Sequence, residues 1–333
     1  MTLSHLKIAG LILALIALVA PIAPGAQPNS ERDSSRSDGD RDKDDRRGDC
    51  KPLEREGPRP SISILSPVNR SNLADEKVFV SGTYSGPANT GVTVNGVAAL
   101  TDGHFFYANN VPLAKGRNTI EAVATTPEGK HAESRVVIEA TGTLVLQLST
   151  TPDSGLNKLS ATFTFVFFTS TPIRSIAMDF DGDGVVDISS ANPASALQFT
   201  YGNPGIYVAK LRLTDAKGDT YERVFAVQVL DASAHDRLMN AVFSEMNAAL
   251  ICGNVERALK SIAIRSRDEY LPIFRALRDR FSAIIRSYSP LQQSTLAVTY
   301  GEYAVNRTVD GKDMLFFIHF IKDEDGVWRV DSM

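Results

Sequence analysis

The stretch Met178-Asp179-Phe180-Asp181-Gly182-Asp183-Gly184-Val185-Val186-Asp187 decides how the chain is read. Four carboxylates are spaced D-x-D-x-D-G-x-x-D, with Gly184 at the bend, so a tight acidic turn between strands is expected. The flanking text is β on both sides. Phe163, Phe165 and Phe167 alternate with Thr162, Thr164 and Val166, which puts three rings on one face. Tyr207, Ala209, Leu211 and Leu213 alternate with Val208, Lys210 and Arg212 in the same way. A β-sandwich module over residues 142–231 follows from this pattern.

Two more segments complete the set, Tyr201-Gly202-Asn203-Pro204-Gly205-Ile206-Tyr207 and Leu213-Thr214-Asp215-Ala216-Lys217-Gly218. In this order the segments resemble the polycystic-kidney-disease (PKD) repeat, an immunoglobulin-like sandwich of surface and secreted proteins. Members of that family usually carry Trp before the first Asp of the acidic motif, where this chain has Met178.

The same turn is the best candidate ion site. Calcium takes six to eight hard oxygens, and carboxylates alternating on a tight loop converge on one cation. Asp179, Asp181 and Asp183 would be ligands, Val185 would offer its backbone carbonyl, and Asp187 would act directly or through water. The loop copies the first half of an EF-hand, but Ser190 stands where the bidentate Glu belongs. The competing reading is a solvated acidic turn without a metal. A calcium ion here would be structural rather than catalytic.

Upstream, residues 61–141 are also β. Short apolar stretches (62–65, 78–84, 92–94, 120–124, 136–138) are separated by turn residues, and Asn95-Gly96 and Asp102-Gly103 suit two-residue hairpins. The runs Ile64-Leu65-Ser66-Pro67, Val80-Ser81-Gly82, Gly91-Val92-Thr93-Val94-Asn95-Gly96-Val97 and Gly116-Arg117-Asn118-Thr119-Ile120 resemble bacterial immunoglobulin-like modules. The resemblance implies a spacer or adhesive unit of the kind found on secreted proteins and glycanases.

Downstream, residues 232–333 change period from two to 3.6. Leu238, Val242, Met246 and Leu250 recur every fourth residue until Gly253-Asn254 interrupts them. Ser266 and Glu269 have capping-box spacing, and Tyr270, Phe274, Leu277, Phe281 and Ile284 form an apolar stripe on a second helix. Three strands are expected near 295–308, 312–322 and 327–332, with turns at Asp310-Gly311 and Asp325-Gly326. Two helices and then an antiparallel meander make an α+β domain. The closing Lys322-Asp323-Glu324-Asp325-Gly326-Val327-Trp328-Arg329-Val330-Asp331 resembles the end of cystatin-like cones related to nuclear transport factor two. The fold class is therefore multi-domain, with two all-β immunoglobulin-like sandwiches followed by an α+β domain.

The beginning of the chain speaks to export. Lys7, the apolar run Ile8 to Ala20, Pro21 and the small residues Ala23, Gly25 and Ala26 have the layout of a signal peptide over 1–26. An uncleaved membrane anchor is the alternative reading. Residues 27–60 read as a charged, disordered tether stiffened by Pro52, Pro58 and Pro60. Its Arg47-Gly48-Asp49 spells an adhesion tripeptide, which chance explains in so Arg- and Asp-rich a run. An oxidising compartment allows a Cys50–Cys252 disulfide; the alternative there is that Cys252 is a small buried residue and Cys50 is free or pairs between chains.

Composition narrows the function. The 333 residues are 43% apolar with net charge −4, so packed cores are expected and nucleic acid is not. His104, His131, His235 and His319 stand singly, without zinc spacing. No nucleophile elbow and no phosphate-cradling glycine loop occur, so no catalytic residues are assigned. His319, between Ile318 and Phe320, occupies the kind of strand where enzymes of cone-like folds place acid and base groups. Tyr107, Phe105 and Trp328 are the rings that would stack on sugar. The expectation is a non-catalytic exported protein, periplasmic, cell-surface or secreted, that binds protein or polysaccharide and leaves the membrane after leader cleavage. The alternatives are small-molecule or isomerase-like activity in the C-terminal cone, or an accessory subunit of a polysaccharide-degrading system.

Overall fold

Alternating apolar and polar residues build the first sandwich, because successive strand side chains point to opposite faces. The computed structural model describes residues 57–142, 146–168, 170–191 and 196–333. The expected leader, most of the tether and Cys50 lie outside the described residues. Strands β1 (Ser61–Ser66), β2 (Asn72–Leu73), β3 (Lys77–Ser85), β4 (Gly91–Val94), β5 (Val97–Ala98), β6 (Leu100–Thr101), β7 (Phe105–Pro112), β8 (Gly116–Thr125) and β9 (His131–Ala140) come first. They form two sheets, ordered β1-β3-β7-β6 and β2-β9-β8-β4-β5. Val80, Phe106, Ile120, Ala122 and Ala124 fill the space between them. Burying Ile120 alone contributes about 1.5–3 kcal/mol.

The two expected hairpins differ. Asn95 and Gly96 have φ of 47° and 81°, and Val94 pairs with Val97, the two-residue turn that suits strand twist. At Asp102-Gly103, Thr101 pairs with Phe106, so the loop is longer. There the Asp102 carboxylate accepts the His104 and Phe105 amides at 2.9 and 2.6 Å. The side chain, not a left-handed residue pair, turns the backbone.

The second sandwich holds β10 (Leu146–Thr151), β11 (Ser154–Leu156), β12 (Leu159–Phe167), β13 (Ile173–Asp179), β14 (Ile188–Ser190), β15 (Ala196–Tyr201), β16 (Gly205–Asp215) and β17 (Thr220–Leu230). Its sheets run β10-β12-β15 and β11-β17-β16-β13-β14. Phe163 and Phe165 are buried and Phe167 packs against them, on one face as the alternation requires. Met178 is fully buried in the same core. Asp215, also buried, accepts the Lys217 and Asp219 amides at 2.9 and 3.0 Å and so caps the β16–β17 turn.

Beyond Leu230 come helices α1 (Ala232–Ile251), α2 (Val255–Lys260), α3 (Arg267–Ala276) and α4 (Phe281–Arg286). Strands β18 (Gln292–Leu296), β19 (Tyr300–Val309), β20 (Lys312–Lys322) and β21 (Trp328–Ser332) follow as one antiparallel sheet in that order. Asp231 caps α1 through the Ser233 and Ala234 amides, and Asn254 caps α2 through Arg257. Ser266 makes no cap; its hydroxyl donates to Asp331 at 3.2 Å instead. The stripe from Tyr270 to Ile284 is buried throughout, but a 3-10 turn at Arg278–Arg280 divides its helix in two. The strand expected over 295–308 is two strands, reversed where the Ala297 amide donates to the Tyr300 carbonyl at 2.7 Å. Cys252 is disulfide-bonded.

Strands and helices from Ser61 to Ser332 belong to one compact unit, Glu54–Ser332. Side-chain amides clamp its parts together. Asn109 donates to the Ala226 carbonyl at 2.8 Å and accepts the Ala226 amide at 2.9 Å, while Asp75 pairs with Arg223. Asn89 does the same for Trp328, donating to its carbonyl at 2.9 Å and accepting its amide at 2.8 Å. Among the described residues no helix is long and apolar enough to cross a membrane.

Candidate functional site

The acidic loop joins the end of β13 to β14. Asp179 is buried, and its two oxygens accept the Gly182 amide at 2.7 Å and the Gly184 amide at 3.0 Å. Gly182 has φ 79°, and a Cβ there would lie 2.7 Å from the Val208 carbonyl oxygen, so the loop needs glycine to lie against β16. Asp187 accepts the Phe180 amide at 2.7 Å, and its own amide donates to the Met178 carbonyl at 2.9 Å. Tyr201 donates to the Phe180 carbonyl at 2.8 Å. Burial, then the carboxylates of Asp181 and Asp187, push the Tyr201 phenol above its ordinary range.

Of the expected ligands, Asp179, Asp181 and Asp187 come together, with one oxygen of each within 4.8 Å of the others. Asp183 stands outside that trio and accepts the Val185 amide at 2.7 Å; the Val185 side chain is exposed. Three carboxylates in kind and spacing fit a hard cation such as calcium. The same carboxylates take loop amides, which orders the turn by an independent route.

Of the rings singled out for sugar, Trp328 is buried, only 5% exposed, and packs edge-on against His235 with centroids 5.3 Å apart. Phe105 and Tyr107 are partly exposed and, with Phe79 stacked 6.2 Å from Tyr107, form an aromatic row on the first sandwich.

His319 lies on the face of β20 opposite Ile318 and Phe320, which are in the core. Its Nδ1 is 2.8 Å from the Ser332 hydroxyl and its Nε2 3.3 Å from Glu302. The Ser294 hydroxyl, and then His319 and Tyr300, hold the Glu302 carboxyl below its ordinary range. Serine, histidine and carboxylate thus line up across three strands. Acyl transfer also needs donors for a developing oxyanion, and Ser332 is the last residue of β21, the last strand in the sheet order.

One site was not read from the sequence. A cavity of about 270 Å³ opens where the first sandwich, the end of β17, α1 and the β20–β21 turn meet. Its walls include Tyr84, Thr101, Gln228, His235, Lys322 and Trp328. These residues are scattered over the chain, so no local motif marks them. The signal within reach was Lys322, a charge at the inward-facing end of the Ile318–Phe320 alternation.

Residues 60–141 match the family model described as glucodextranase, domain B. None of the curated proteins matches the chain. Among solved structures, the fibronectin(III)-like modules of Clostridium thermocellum CbhA align at 14% identity and TM-score 0.22, over 52% of this chain and 95% of theirs. The PKD1 domain of Vibrio anguillarum Epp aligns at 23% identity and TM-score 0.19, over 26% of this chain and 90% of its own. Dimeric latent PorU from Porphyromonas gingivalis aligns at 10% identity and TM-score 0.31, over 53% of this chain and 20% of its own.

Proposed function

We propose that this chain is an exported, non-catalytic binding protein that serves as an accessory piece of a polysaccharide-handling system. The similarity of residues 60–141 to glucodextranase domain B carries the reading, since that family's name points to carbohydrate. The Phe79–Tyr107–Phe105 row supports it, because half-exposed rings offer flat apolar faces beside a polar hydroxyl. The second sandwich holds the first through the Asn109–Ala226 pair of hydrogen bonds. In this reading the trio Asp179, Asp181 and Asp187 shares a structural calcium ion, and Cys50 pairs with Cys252.

Retention of the exported chain on insoluble glycans tests the proposal. The wild type should be held and then released by soluble glycan, while Tyr107→Ala should bind at least about tenfold more weakly with an unchanged melting temperature. Failure to be retained on any glycan, with proteins captured instead, would transfer the reading to protein adhesion.

A second reading takes the C-terminal part as a cystatin-like cone and gives it small-molecule chemistry. The Ser332–His319–Glu302 alignment favours it. Covalent labelling of Ser332 by a fluorophosphonate, lost in His319→Ala, would move the assignment to an enzyme.

A further inference from the structure

Lys322 is the last residue of β20, on the face that carries Ile318 and Phe320 into the core. At its position that face meets the first sandwich, and its ammonium donates to the Ala99 carbonyl at 3.1 Å. Of the three acidic residues that follow in sequence, Glu324 is exposed, and the other two are already engaged. Asp323 accepts from Arg329 at 3.0 Å, and Asp325 grips the same guanidinium through both oxygens at 2.7 Å. Lys322 therefore has no ion pair among the described residues. An ammonium has three donors, and one is used. A half-buried cation without a counter-charge is stabilised when something of opposite sign completes it.

The cavity beside it shows what would. Its volume, about 270 Å³, lies just under the range of drug-sized pockets, so it suits one small ring. One positive charge matches one negative charge; a phosphate monoester, at roughly −1.5 to −2, would leave the excess unmatched. His235 does not supply a second cation. Its Nε2 is buried without a partner, and burial together with the Lys322 charge keeps the imidazole neutral. The other walls are uncharged and mixed: Leu230, Leu238, Val298 and Trp328 give apolar surface, and Tyr84, Thr101 and Gln228 give polar groups, the Gln228 amide donating to the Thr101 carbonyl at 3.3 Å.

We propose that this junction cavity binds a small hydroxylated monocarboxylate, of the size of a single hexuronic acid, with Lys322 as its charge partner. The site is separate from the aromatic row, so glycan retention and this binding fail independently.

The test is calorimetry on the exported chain with D-glucuronate, D-glucose and inorganic phosphate as probes. Glucuronate should bind, and glucose and phosphate should each bind at least about tenfold more weakly. Lys322→Met should lose glucuronate binding by a similar factor, whereas Lys312→Met, at the exposed start of the same strand, should not change it. Acetylation of the wild-type chain gives a readout free of any folding defect. Glucuronate, but not glucose, should protect Lys322 in the peptide mass map. Absence of glucuronate binding up to about 10 mM, equal binding of phosphate, or unprotected Lys322 at saturating glucuronate would each overturn the assignment.

Discussion

Gly91 and Gly326 meet backbone against backbone, one from the first sandwich and the other from the last hairpin of the chain. A Cβ on Gly91 would lie 2.3 Å from the Asp325 carbonyl oxygen, and one on Gly326 would lie 3.0 Å from the Val92 amide nitrogen. The Asn89 clamp on the Trp328 backbone holds this approach in register. The contact joins elements more than two hundred residues apart and forms one edge of the junction cavity, whose walls include Asn89, Gly326 and Trp328.

Gly91→Ala should therefore destabilise the chain by about 1–3 kcal/mol, the usual cost of forcing an extra carbon into a packed contact. Gly202→Ala is the matched control, because its added Cβ meets nothing within 4 Å. Urea denaturation of both variants checks this. An equal loss in the two would mean that the close approach contributes nothing.

Calcium should raise the melting temperature of the exported chain, and chelator should reverse the rise. A ligand at a hundredfold excess over its Kd adds about 2.7 kcal/mol. Asp181→Asn should abolish the shift, since Asp181 belongs to the trio. Asp183→Asn should retain most of it, since Asp183 stands outside the trio. Calorimetric scans with and without calcium decide it, and equal effects from the two variants would restore Asp183 as a ligand.

Much of this architecture was legible because it is local. Phe163, Phe165 and Phe167 announce a strand face by alternation, and Asn95-Gly96 announces its turn by the φ values it tolerates. The turn at Ala297 to Tyr300 was not legible: residues 292–300 contain neither Gly nor Pro, and one hydrogen bond reverses the chain. Trp328 read as a candidate platform because nothing local shows that β21 and α1 bury it against His235. The acidic loop was found by spacing, yet spacing alone did not separate Asp183 from the three carboxylates that converge. The junction cavity depends on contacts between distant segments, and sequence periodicity carries no trace of those.

Arg329, only 2% exposed, lies between Asp323 and Asp325 and donates to the Lys260 carbonyl at 3.3 Å. Arg329→Met should cost about 3–5 kcal/mol, because two shielded carboxylates are left facing each other without a cation. Adding Asp323→Asn and Asp325→Asn to that variant should recover a large part of the loss. Denaturation of the single and triple variants tests this, and a triple variant no more stable than the single one would assign the loss to packing.

The junction should also give the protein an acid-sensitive side. Burial, then the Lys322 charge, lowers the His235 pKa from its ordinary 6.5, while Asp231 opposes the shift. Lys322 and Asp231 are the charged groups that act on this imidazole, and Trp328 packs against its ring. Below pH 6.5 the unfolded chain takes up a proton that folded His235 refuses. Stability is thus fully present above that value and is lost as pH falls toward the depressed folded value. Melting temperatures should decline as pH falls below about 6.5, above the ordinary carboxylate region. His235→Gln should flatten the decline, and His131→Gln, at an exposed strand end, should leave it intact. An undiminished decline in His235→Gln would remove the junction imidazole from any part in it.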